Sequence, residues 1–238
     1  MAEEFEDRDL TGASFWGGRL RDATMRDVDF TGVRTHHVIL HDVEIDGHVD
    51  RLVINGVDVT DHVKANDPWE PLRSMSIAGD IASIAEACVA MQAAWDDTLA
   101  EAADLTEAQR RERVNGEWSL VETLRHLVFA TDKWFTAPIA GGDFHALGMP
   151  NSGSVDFPWP GLDLDAEPIE ADVLAARREN FEAMAALLAD MGDERLAEVV
   201  EVPESGRARV LDCWHAVLEE EFEHLRYARR DLAILRGG

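Results

Sequence analysis

The chain has 238 residues, of which 48 are Asp or Glu and 22 are Lys or Arg, for a net charge of −26. That balance excludes tight nucleic-acid binding, which needs cations to displace counterions from phosphates, and it equally excludes docking on anionic lipid. Hydrophobic residues make up 46%, the share of an ordinary globular protein, so the charge does not signal disorder. No run of about 18 apolar residues is present to span a membrane, and Met1 to Asp9 lacks the basic start and apolar stretch of a signal peptide. The expected compartment is the cytoplasm, where Cys88 and Cys213, far apart in sequence and without metal or redox spacing, remain reduced.

The first 45 residues carry a repeat. Phe5, Leu10, Phe15, Leu20, Met25, Phe30, Leu40 and Ile45 recur every five residues, with Thr35 as the polar interruption. Two places before most centres stands a small or β-branched residue: Ala13, Gly18, Ala23, Val28, Val33, Val38 and Val43. Neither a helix nor a strand has this period. Segments such as Thr11 to Phe15 and Arg21 to Met25 resemble pentapeptide repeats, and that resemblance implies a small right-handed β-helix-like coil. Just over two coils leave much of the stack uncovered, so the module is expected to lean on other structure as an appendage or to present a docking face. Residues 51–59, β-branched around Asn55-Gly56, read as a capping strand or hairpin. The expected domains are therefore residues 1–60 as the coil, 61–76 as a linker and 77–238 as a helical domain.

From Ile77 the period becomes helical. Ile77, Ile81, Ile84, Cys88, Met91 and Trp95 form one apolar stripe. A second helix starts at Ser119, whose spacing to Glu122 is that of a capping box, and its stripe is Leu120, Leu124, Leu127, Val128, Thr131 and Phe135. A third runs from Ala171 to Met191 through Leu174, Phe181, Met184 and Leu188. A fourth runs from Arg209 to Leu235 through Val210, Trp214, Val217, Leu218, Leu225, Ala228 and Leu232. The fold class is thus mainly α, a four-helix bundle with a small β-coil at its N-terminus. Between the second and third helices lies a long Pro- and Gly-rich link from Pro138 to Glu170, readable as a lid or as a packed crossover.

Three polar residues of the bundle can converge. Glu220 and His224 are four apart on one face of the fourth helix, and His126 lies on the second. Two imidazoles and a carboxylate can chelate one divalent ion and leave a position open, as in catalytic zinc sites. On spacing alone an exposed acid cluster from Glu219 to Glu223 beside a surface histidine is the better account of the pair. Glu221 points closest to the centre of the apolar stripe and needs a partner, either as an orienting group for a ligand or as a pair for an arginine. His215 is expected to be exposed, and Trp118 and Trp134 to be core.

The stretch Gly116 to Trp134, containing Glu-Trp-Ser-Leu and Leu-Arg-His-Leu, resembles the second-helix signature of the DinB-like superfamily, and Leu218 to Leu232 resembles its fourth helix. The resemblance spans about Ile77 to Leu235. It implies a metal site built from His126 and from positions 220 and 224, with Glu220 standing where many members have His. The His, Glu, His set is that of the mycothiol-dependent maleylpyruvate isomerases. The resemblance further implies a divalent cofactor, with zinc the best fit to two His and one carboxylate and nickel, iron or manganese as alternatives. It implies a low-molecular-weight thiol as cosubstrate for S-transfer or isomerisation of a small electrophilic molecule. No side chain is assigned as catalytic acid or base, and no cofactor-binding residue beyond the three ligands. The competing reading is a non-catalytic binding or stress-related module with a structural or vestigial metal site. The expected partner is a small molecule rather than nucleic acid or membrane, and a homodimer is compatible with such a bundle.

Overall fold

The computed structural model describes residues 5, 8–25 and 28–237. The remaining positions of the expected 1–60 and 77–238 domains lie outside the described residues. The chain divides into two compact units, residues 1–46 and 47–238.

The N-terminal unit keeps the five-residue period in its backbone. Gly12, Gly17, Asp22, Gly32, His37 and Asp42 all have φ between 53° and 77°, which keeps the five-residue step at these described positions. Asp9 and Asp29 each accept a hydrogen bond from the backbone N–H two residues on, at 2.9 and 2.7 Å, a local turn that suits these side chains. The β-coil expected from the repeat is not seen, however. No strand occurs among the described residues of this unit, and the repeat centres are exposed, from 49% at Leu10 to 74% at Phe15. The physical reason is length: a stack of about two coils offers few neighbours to cover its centres.

The second unit opens with a two-residue hairpin, β1 (Val53–Ile54) and β2 (Val57–Asp58), turned at Asn55-Gly56 with both residues at positive φ, the geometry Asn-Gly favours. The stretch 61–76 then carries two short helices, α1 (Thr60–Asn66) and α2 (Glu70–Met75), with α2 packed on the bundle. Asp67 and Arg73, both largely buried, join them through a 2.8 Å ion pair.

The bundle consists of α3 (Ile81–Ala102), α5 (Leu120–Thr131), α6 (Glu170–Asp190) and α7 (Val210–Gly237), with the single turn α4 (Glu107–Arg110) in the first link. Helices α3 and α5 each pack on both α6 and α7, so α3 and α5 stand diagonally opposed. The expected stripes are its core: Ile84, Met91, Trp95, Leu124, Leu127, Met184, Trp214, Leu218 and Leu225 are each at most 1% exposed. The first helix begins four residues later than its stripe suggests. Asp80 caps it reciprocally with Ser83, and Ile77 stays outside, half exposed. Ser119 and Glu122 form the expected capping box of α5.

Beyond Thr131 the helix widens into a π-helix, Asp132–Ala140. The wider winding accommodates Pro138, whose ring in an α-helix would press on the carbonyl four residues back. Gly141, at φ 71°, ends it. A hairpin absent from the sequence reading, β3 (Val199–Val202) and β4 (Gly206–Arg209), precedes α7. Among the described residues no helix is long and apolar enough to cross a membrane.

The long link is a packed crossover. Phe144 and Trp159 bury themselves on Phe129 of α5. Asp132, fully buried, accepts from the His145 backbone N–H at 2.8 Å and from its Nδ1 at 3.0 Å. Glu204, at the β3–β4 turn, bridges Lys133 at 2.7 Å and Ser154 at 2.8 Å.

Candidate metal centre

His126 lies two turns into α5, where α5 faces α7, and is 4% exposed. Glu220 and His224 occupy successive turns of α7. The structure brings all three together: His126 Nε2 is 3.3 Å and His224 Nε2 is 3.2 Å from the same Glu220 oxygen, Oε2. The three donor atoms all lie within 4.8 Å of one another. Around a zinc-sized ion with bonds of about 2.0–2.1 Å, tetrahedral ligands stand about 3.3 Å apart, so the two short separations match without rearrangement.

The tautomer of His126 is set by the crossover. Its Nδ1 lies 3.0 Å from the Met149 carbonyl. A carbonyl only accepts, so Nδ1 carries the proton and donates it. In the neutral ring the Nε2 lone pair then faces the Glu220 carboxylate, acceptor against acceptor, a contact that either a proton on Nε2 or a metal ion between them resolves. A backbone carbonyl holding the remote ring N–H is the usual outer support of a metal-binding imidazole. Met149 is itself tied down, since its N–H donates to the Arg125 carbonyl at 3.2 Å and Arg125 Nε donates to the Leu147 carbonyl at 2.9 Å. Gly148 makes this approach possible. A Cβ there would meet Leu162 Cδ1 at 3.0 Å and Phe129 Cβ at 3.2 Å.

Burial works against the charge of Glu220, but hydrogen bonds from His126 and then His224 outweigh it and hold the carboxyl well below the ordinary range. Glu220 therefore stays ionised across the physiological range. Trp118, expected as core, is instead half-buried against the imidazoles, its ring centroid 4.6 Å from that of His126 and 5.9 Å from that of His224.

Glu221 is an arginine partner. Arg177 of α6 donates to both its oxygens, at 3.0 and 2.8 Å, and both side chains are at most 5% exposed. The Arg177 guanidinium also lies 5.0 Å from the Trp95 ring centroid. This buried pair holds the turn of α7 that presents Glu220. His215, expected to be exposed, is half-buried with Nε2 2.9 Å from the Ala78 carbonyl. Both cysteines are buried and stand apart from the triad.

A sequence profile of the DinB superfamily matches residues 90–228. This range holds all three converging side chains and most of the bundle. The chain belongs to the DinB superfamily. DinB superfamily domains often bind divalent metals, and the His126, Glu220, His224 group of this member could hold one. No curated protein sequence and no solved structure matches the chain.

Sequence reasoning missed the Met149 carbonyl and the siting of Trp118. A backbone acceptor leaves no side-chain signature, and Gly148 was the nearest available hint. For Trp118 the signal was its place just before the capping box.

Proposed function

We propose that His126 Nε2, Glu220 Oε2 and His224 Nε2 bind one divalent ion, zinc by the donor set, with nickel, iron and manganese as alternatives. The observation that carries this reading is the convergence of His126 Nε2 and His224 Nε2 on one Glu220 oxygen, with His126 Nδ1 held by the Met149 carbonyl so that Nε2 is the nitrogen free to bind a metal. Three protein donors leave a position for an exogenous ligand, and a cavity of about 270 Å³ opens beside His224. That opening favours a working site over a purely structural one.

The proposed activity is S-transfer or isomerisation on a small electrophilic substrate, using a low-molecular-weight thiol of the mycothiol kind. A bound ion would supply Lewis acidity that stabilises a thiolate at neutral pH. The thiol has to come from outside the protein. Burial, with the Glu221 charge behind it, pushes Cys88 up to about 12, and burial, with Asp212 behind it, pushes Cys213 up to about 11. Neither is a thiolate source near pH 7. Met149 orients His126, the Arg177–Glu221 pair fixes the α7 turn, and Trp118 covers the imidazole faces. The N-terminal unit is read as a pentapeptide-repeat-like coil, supported by its left-handed residue at every fifth described position.

Cobalt-loaded protein tests the reading. A thiol such as 2-mercaptoethanol should produce a thiolate-to-cobalt charge-transfer band in the wild type and none in His126→Ala/His224→Ala. A cobalt spectrum indifferent to every thiol would overturn the thiol assignment.

A further inference from the structure

The cavity beside His224 has a polarity along its length. It is bounded by His224 at one end, by Trp118, Thr123 and Tyr227 along its sides, and by Asp231 and Glu117 at the other end. His224, Tyr227 and Asp231 follow each other at steps of three and four on one face of α7. Seven residues of helix separate the metal-binding end from the acidic end by about 10 Å. The cavity thus has room for an elongated small molecule between His224 and Asp231.

The far end carries an excess of negative charge. Arg230 is shared by two carboxylates, Asp231 at 2.8 Å and Glu117 at 2.6 Å. Arg113, the arginine that lines the wall, is committed to Glu122 through contacts of 2.6, 3.0 and 3.1 Å. Two guanidinium groups therefore face three carboxylates. Asp231 is the more sheltered acid, its side chain 12% exposed, whereas Glu117 is 50% exposed. The Trp118 ring adds an electron-rich face that favours a cation over an anion.

We propose that the ligand of this cavity bears a protonated amine at the end remote from its metal-binding atom, with Asp231 as the principal counterion and Glu117 as the second. This rests on the metal reading given above. A carboxylate-terminated ligand of the same length would meet the acidic end and be rejected, and a neutral one would bind without gain.

The experiment uses the cobalt-loaded full chain and three probes of equal length: 6-amino-1-hexanethiol, 6-mercapto-1-hexanol and 6-mercaptohexanoate. Each is titrated while the cobalt spectrum is followed. The aminothiol should bind about tenfold more tightly than the mercaptoalcohol, the mercaptocarboxylate should bind most weakly, and the order should flatten in high salt. Asp231→Asn, which preserves shape, should remove most of the aminothiol's advantage while leaving the mercaptoalcohol within about twofold. Glu117→Gln, at the more exposed position, should remove a smaller part. Cobalt stoichiometry checks that each variant retains its fold and site. Equal affinities for the three probes, or an advantage that survives both substitutions, would overturn the amine assignment. If no probe perturbs the spectrum, the thiol reading itself fails, a separate result.

Discussion

Replacing Arg177 with Met removes the counterion that the structure gives Glu221, a carboxylate 2% exposed between α6 and α7. Two charge-assisted hydrogen bonds at 3.0 and 2.8 Å are lost, together with the guanidinium contact to Trp95 at 5.0 Å. The desolvation of the acid, already incurred on folding, is left uncompensated. Breaking one partner of such a pair costs about 3–5 kcal/mol, which in a unit of this size lowers the melting temperature on the order of 10 °C. Arg177→Met/Glu221→Leu removes the stranded charge as well and should recover most of the loss, because apolar groups of similar volume replace a buried pair at little cost. Urea unfolding of the wild type, the single variant and the double variant measures both quantities. A single-variant loss below about 1 kcal/mol, the size of an exposed pair, or a double variant no better than the single, would refute the reasoning.

Further predictions concern the crossover, the histidines and the thiols. Gly148→Ala should push the Met149 carbonyl away from His126, since its Cβ would lie 3.0 Å from Leu162 Cδ1 and 3.2 Å from Phe129 Cβ. Cobalt affinity should fall about tenfold or more while far-ultraviolet circular dichroism stays unchanged, and an unaltered affinity would contradict the support role. The hydrogen bond to Asp132 raises His145 above its ordinary value, against burial and with help from the Asp132 charge and from Glu179. Its protonated form is therefore favoured in the folded state. The stabilisation it brings is fully present below about pH 6.5, the unfolded value, and is lost as pH rises through the higher folded value. Thermal melts from pH 5.5 to 9 should show that loss in the wild type and a flatter profile in His145→Gln, and identical slopes would count against the assignment. Cys88 and Cys213 should resist iodoacetamide in the native protein at pH 8 and react readily once unfolded. Fast labelling of the native chain would contradict their raised values.

How legible the protein was in its sequence varied with the kind of signal. The four bundle helices were readable because each must bury one face, so Met91, Leu124, Met184 and Leu218 fall at helical spacing. Ser119 was readable because capping is local chemistry between neighbours. His126, Glu220 and His224 were nameable as a group, but only resemblance favoured them over an ordinary acidic face. Spacing relates 220 to 224 and says nothing of a residue on another helix. The partner of Glu221 stayed open for the same reason, since Arg177 lies 44 positions away. The β3–β4 hairpin was missed because its strands are four residues long and mostly exposed, too short for a period to stand out. The repeat was seen, and the backbone keeps its period, but a period of side chains does not supply the neighbours that would bury them.

The central claim is that the triad holds a metal ion, and metal content tests it most directly. Untagged wild type and His126→Ala/His224→Ala should be purified without chelators and analysed by plasma mass spectrometry, before and after reconstitution with zinc. The account predicts about one ion per wild-type chain, as a three-ligand site with an open position requires, and none retained by the double variant. Wild-type protein that holds no metal even after reconstitution, or a double variant that keeps its full complement, would contradict it.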